Sequence, residues 1–136
     1  YIADQRPEAN LAPPAGTMGR YRLQEWLNYI ATELHKGFGP LFGRERRLGA
    51  AVVDTPKEEA RERLGRRLAY AAERLTDHEY LLGGYSVADC YLFTVLSWAR
   101  STQVDLSAWP QLVSYQKRLS ARPAVVSALA IEGIKL

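Results

Sequence analysis

The sequence predicts an all-α fold, a helical bundle of about five helices around a central buried helix, and three observations carry that expectation. Apolar residues recur every three or four positions from Met18 to about Lys36, and again in the stretch after Thr55, the period of a helix with one buried face. From Val87 to Arg100 only Asp89, Thr94, Ser97 and Arg100 are not apolar. A segment of about 14 residues that is hydrophobic nearly all round is too short to span a bilayer and belongs at the centre of a core, with every other helix packed on it. No run combines β-branched alternation with hairpin turn residues, and no repeat period is visible, so no sheet is expected.

Taken in order, Tyr1-Ile2-Ala3-Asp4 is too short to be an element and reads like the end of a helix begun upstream, stopped at Arg6-Pro7. Residues 5 to 16 hold Pro7, Pro13, Pro14 and Gly16, a proline density that forbids regular helix and marks a linker. Thr17 is the expected N-cap of the first helix, whose buried stripe is Leu23, Trp26, Leu27, Ile30 and Leu34. Gly37-Phe38-Gly39-Pro40 is expected to break it, leaving His35 and Lys36 in the last turn, where positive side chains suit the helix dipole. Residues 43 to 54 read as a loop.

Thr55-Pro56-Lys57-Glu58 forms a capping box with proline at the first helical position. The helix of about 20 residues that follows buries Ala60, Leu64, Leu68, Ala71 and Leu75, while Glu58/Arg61, Glu59/Arg63 and Glu62/Arg66 pair on its solvated face. Ser86 and Asp89 are placed to cap the central helix reciprocally. Two further helices are expected from about Pro110 to Ala121 and from about Pro123 to Glu132, the latter ended by Gly133.

At 136 residues and with 47% hydrophobic and 24% charged residues, the chain is an ordinary globular domain. The net charge of +3 raises nucleic acid as a partner. Acidic residues are interspersed almost everywhere, however, and the one local cluster, Arg44, Arg46 and Arg47, encloses Glu45, whereas phosphate binding needs a stripe of unopposed charge. Cys90 is the only cysteine, and the two histidines, His35 and His78, are far apart, so neither a disulfide framework nor a metal site is expected. No membrane span or export signal is legible, which leaves a reducing cytoplasm as the expected compartment. The chain begins at Tyr1 and its only methionine is Met18, as in a processed product or a cut piece.

Local chemistry is sparse, with no phosphate-binding glycine loop, His-Glu-x-x-His or Gly-x-Ser-x-Gly. Cys90 on the core helix reads as buried and inert, Asp89 as a cap, and His78 as a surface residue. Asn28, Thr32 and His35 share one helix face beside Lys36. An amide, a hydroxyl and an imidazole together suit a polar, anionic ligand, although capping and ordinary surface polarity also account for them.

Glu25-Trp26-Leu27-Asn28-Tyr29-Ile30-Ala31-Thr32-Glu33-Leu34-His35-Lys36-Gly37-Phe38 resembles the corresponding stretch of bacterial beta-class glutathione transferases. Tyr1-Ile2-Ala3-Asp4 resembles the end of the last helix of that family's first domain, and Leu11-Ala12-Pro13 resembles its interdomain linker. Leu82-Gly83-Gly84-Tyr85-Ser86-Val87-Ala88-Asp89 with Tyr91-Leu92-Phe93 resembles the opening of its core helix, and Trp109-Pro110, Arg122-Pro123 and Glu132-Gly133 extend the likeness over nearly the whole chain.

The resemblance implies that residues 1–16 are the end of a preceding thioredoxin-like domain and the linker, and that 17–136 are the helical C-terminal domain. It implies glutathione as co-substrate, no metal, a hydrophobic electrophile attacked by the glutathione thiolate, and a homodimer that needs neither nucleic acid nor membrane. The missing thioredoxin-like domain carries the family's cysteine, which Cys90 does not match, so this chain alone is expected to be inactive. Carried over by position, Asn28, Thr32, Glu33, Leu34, His35 and Lys36 would bind glutathione, His35 would be catalytic, and Tyr29 and Phe38 would face the electrophile. The alternative is a non-catalytic helical interaction or dimerisation module of the same fold.

Overall fold

The computed structural model describes residues 1–42 and 56–134. The loop at 43–54, the Arg44, Arg46 and Arg47 cluster and the cap at Thr55 lie outside the described residues. Among the described residues the main elements are five helices, with no strand: α1 (Met18–Tyr29), α3 (Lys57–Arg74), α4 (Val87–Ser97), α6 (Pro110–Ser120) and α7 (Pro123–Glu132), with the short α2 (Lys36–Phe38) and α5 (Ala99–Thr102) between them. This is the predicted all-α bundle.

Proline keeps the N-terminal stretch out of regular helix, and it forms only two 3₁₀ turns, Ile2–Gln5 and Pro7–Ala9. Polar contacts fix it to the bundle nonetheless. The Leu11 carbonyl accepts the Val87 N–H at 2.9 Å, Arg20 Nε donates to the Pro13 carbonyl at 2.7 Å, and the Arg20 guanidinium pairs with Asp4.

Thr17 caps α1 as expected, its hydroxyl accepting the Arg20 N–H at 3.3 Å. The predicted break at Gly37-Phe38-Gly39-Pro40 is met only in part: α-helix ends at Phe38, but the chain carries on as a 3₁₀ turn rather than leaving helical conformation. After Tyr29 the chain enters a six-residue π-helix, Ile30–His35, in which the Lys36 N–H reaches the Ala31 carbonyl five residues back. It then continues through α2 and a 3₁₀ turn, Gly39–Phe42. His35 and Lys36 therefore stand in the last turns of the π and α segments, within a helical path that continues past them. Glycine at 37 serves close packing, since a Cβ there would sit 3.1 Å from Leu64 Cδ1 and 3.4 Å from Arg67 Nη1 on α3.

On α3 the predicted stripe Ala60, Leu64, Leu68, Ala71 and Leu75 is buried. Of the expected surface pairs, Glu58 and Arg61 approach to 3.7 Å. The central helix is shorter than predicted, because the α-helix stops at Ser97 and resumes at Ala99. Its principal neighbours are α1, the π segment, α5 and α6, whereas α3 packs mainly on the π segment, the following turns and α6, and α7 leans chiefly on α6. The expectation that every helix packs on α4 is thus met only in part. The helix α7 buries none of its residues, and Val126 and Ile131 are 52% and 82% exposed.

The start of α4 is held by Asp89, whose carboxylate is fully buried. The reciprocal capping box with Ser86 forms, and Oδ2 accepts both the Ser86 N–H and its hydroxyl at 2.9 Å. Oδ1 accepts the Leu81 N–H and the Tyr115 hydroxyl, each at 3.0 Å. Burial, reinforced by the neighbouring carboxylate, pushes the Tyr115 phenol far above its ordinary range, so it remains a donor. One buried acid thus joins the 81–86 turn, α4 and α6. Asp89→Ala in the intact protein is expected to cost roughly 3 kcal/mol or more in urea unfolding, because four donors lose their acceptor, whereas Tyr115→Phe should cost about 1 kcal/mol.

Candidate functional site

The π segment carries Thr32, Glu33, Leu34 and His35 of the residues singled out in the sequence, and its two flanks meet different partners. Toward α4, His35 Nδ1 lies 2.7 Å from the Tyr91 hydroxyl. The imidazole stands edge-on to Trp98, with ring centroids 4.7 Å apart and planes at 81°. Tyr91 on α4 and Trp98 at its helical C-cap are seven residues apart and so share a face. Phe38 and Phe42 also meet Trp98 edge-on, at 5.8 and 5.5 Å, which makes the indole the common wall behind His35. His35 itself remains exposed, as do Asn28, Thr32 and Lys36. The Thr32 hydroxyl donates to the Asn28 carbonyl at 2.9 Å, so Asn28 and Thr32 sit one above the other.

Toward α3, Glu33 Oε2 pairs with Arg67 Nε at 2.9 Å, and Arg67 Nη1 also donates to the Glu33 carbonyl at 3.2 Å. The Tyr29 hydroxyl donates to the Arg67 carbonyl at 2.7 Å. Its ring packs with Trp26 and Tyr70, centroids 5.8 and 4.9 Å away. Burial, with the Glu33 charge second, pushes the Tyr29 phenol up to about 12. Tyr29 and Glu33 thus close the seam between the helices.

The residues assigned from sequence therefore divide into three groups. Asn28, Thr32, His35 and Lys36 present polar groups to solvent, with Glu33 turned toward Arg67. Leu34 and Phe38 are fully enclosed in the core. An electrophile-facing surface made of Tyr29 and Phe38 does not form within this chain, because one ring lies in the α1–α3 seam and the other is wrapped by its neighbours. Cys90 likewise departs from expectation. It is exposed, since an all-round apolar helix gives no stripe from which to read the buried side, and its thiol lies 3.1 Å from the Tyr85 hydroxyl. Burial, with the Cys90 contact second, pushes Tyr85 up to about 12. Both residues line an apolar groove of about 480 Å³ between α4 and α7, together with Phe93, Val125 and Leu129.

Tyr91, Trp98 and Phe42 were not singled out as site residues in the sequence, although the seven-residue spacing of two aromatics on the central helix was the available signal. Among the described residues no group of three or more His, Cys, Asp or Glu is placed to hold a metal ion, and no described helix is long and apolar enough to cross a membrane.

Comparison with known proteins finds the family described as glutathione S-transferase, C-terminal domain, matching residues 29–123. The chain is 41% identical to glutathione S-transferase GstA of Escherichia coli O157:H7 over 139 aligned residues, covering 99% of this chain and 65% of that protein. It superposes on the bacterial beta-class glutathione S-transferase of Sphingomonas chungbukensis with a TM-score of 0.86 at 40% identity, covering 99% of this chain and 65% of the other. A sphingomonad glutathione S-transferase complexed with glutathione gives a TM-score of 0.85 at 38% identity, again with 99% and 65% covered. The chain thus spans about two thirds of the length of these relatives.

The Glu33–Arg67 pair is half exposed, its side chains 39% and 33% accessible, so it contributes modestly. A double-mutant cycle on Glu33→Ala and Arg67→Ala, read by urea unfolding, is expected to give a coupling of about 0.5–1 kcal/mol that shrinks in high salt.

Proposed function

Because this chain belongs to the glutathione S-transferase C-terminal domain family, we propose that it is the helical part of a beta-class glutathione transferase and supplies one side of the glutathione site. The intact enzyme then joins the glutathione thiolate to an electrophilic carbon. A cytoplasmic homodimer completed by a thioredoxin-like domain is part of this reading. The observation that carries it is the placement of His35: a solvent-facing imidazole in a helical path, backed by Tyr91 and Trp98 and flanked by Asn28, Thr32 and Lys36.

Glutathione is a small peptide with two carboxylates and a thiol, and it suits such a face. The Lys36 ammonium offers charge to a carboxylate, the Asn28 amide and Thr32 hydroxyl offer hydrogen bonds, and His35 offers an N–H to the thiolate or a carboxylate. A donor next to sulfur favours thiolate over thiol and so raises the fraction of nucleophile present. Glu33, held by Arg67, would offer its carboxylate to the peptide's α-ammonium. Leu34 and Phe38 act from inside the core by fixing the helix that presents these groups.

For the electrophile, the apolar surface next to His35 is that of Trp98 and the 41% exposed Phe42, rather than Tyr29 and Phe38. In this reading the preceding domain sits against the uncovered Val126 and Ile131 of α7 and the groove beside Cys90.

His35→Ala in the intact protein should weaken glutathione binding by about tenfold or more, the ordinary worth of a hydrogen bond to a charged group, as read by titration calorimetry. Unchanged affinity and unchanged turnover at every glutathione concentration would contradict the assignment of His35, whereas failure of the intact protein to bind glutathione would favour a non-catalytic helical module.

A further inference from the structure

The π segment presents an imidazole whose second nitrogen is already engaged, and that engagement has a direction. We propose that Tyr91 is a positioning residue for His35: its hydroxyl donates to Nδ1, which fixes the neutral ring as the Nε2–H tautomer and aims that N–H outward at the ligand. This rests on the reading of His35 as a glutathione contact and adds to it which nitrogen makes the contact and what sets it.

Three observations support the assignment. The 2.7 Å separation of Nδ1 and the Tyr91 oxygen is short for a nitrogen–oxygen pair and indicates a well-formed bond. A phenol delocalises its oxygen lone pairs into the ring, which makes it a better donor than acceptor, while a neutral imidazole has one accepting nitrogen. The favoured arrangement is therefore Tyr O–H to Nδ1, leaving the proton on Nε2. The edge contact with Trp98, at 4.7 Å and 81°, limits rotation of the ring about its axis. His35 is exposed, so water alone would satisfy Nδ1. Ordering a tyrosine from 56 positions away in the chain instead fixes an orientation that water would leave free.

The consequence is that His35 donates a hydrogen bond to an anionic sulfur or carboxylate without having to be protonated. In the intact protein, nitrogen-15 NMR of the His35 ring, recorded where the imidazole is neutral, should show the proton predominantly on Nε2. Tyr91→Phe keeps the ring packing and removes the donor. It should shift His35 toward a mixture of tautomers and weaken glutathione binding roughly 2- to 10-fold, with the binding loss absent when Tyr91→Phe is made on top of His35→Ala. A wild-type ring protonated on Nδ1 overturns the proposal even if Tyr91→Phe fails to fold. So does a tautomer balance unaffected by Tyr91→Phe, or an unchanged affinity in Tyr91→Phe while His35→Ala still weakens binding. Unchanged affinity in both variants overturns instead the reading of His35 as a glutathione contact.

Discussion

A carboxylate enclosed in an apolar core must have its oxygens satisfied by donors, because no water is there to do it. Asp89 meets that condition with donors drawn from three places: its own capping residue Ser86, the Leu81 amide of the preceding turn, and the Tyr115 hydroxyl of α6. The start of α4 is thereby fixed in position and in rotation about its axis. That rotation matters beyond stability, since it decides where Tyr91, two residues further on, and Trp98 point. The proline-rich N-terminal stretch adds its own tie at the same place through the Leu11 carbonyl and the Val87 N–H.

The helical path from Met18 to Phe42 is held from both sides. Arg67 on α3 grips the Glu33 carboxylate and carbonyl, and its own carbonyl receives the Tyr29 hydroxyl. On the opposite side Tyr91 and Trp98 hold His35 and Phe38. Between the two grips the backbone widens into a π turn, which changes the angular step between successive side chains and lets both flanks meet their partners. π turns are rare and occur often at functional sites. Here the turn carries Thr32, Glu33, Leu34 and His35, four of the residues proposed above for the glutathione site.

Much of the bundle was legible in the sequence because burial leaves a period. The stripe Leu64, Leu68, Ala71 and Leu75, the proline starts of α6 and α7, and the Ser86–Asp89 cap all follow from spacing and local chemistry. What stayed hidden depends on partners distant in the chain. The cap was visible, but the Leu81 and Tyr115 donors on the same carboxylate were not. Gly37 read as a breaker because its value lies in the closeness of Leu64 and Arg67, which no local pattern reveals. The π turn shifts a hydrogen-bond register without disturbing the order of apolar residues. Cys90 read as buried because apolar composition says that a helix is central, not which of its sides is covered. The polar face around His35 was recognisable as a group, while its orientation by Tyr91 and its separation from Glu33 emerged only from the packing of α3 and α4.

The most direct measurement is a crystal structure of the intact protein grown with glutathione. If the helical domain supplies one side of the glutathione site, the peptide will lie against the π segment, with a sulfur or carboxylate oxygen within hydrogen-bond distance of His35 Nε2. Glutathione bound away from residues 28–36, with His35 facing only solvent, would contradict it.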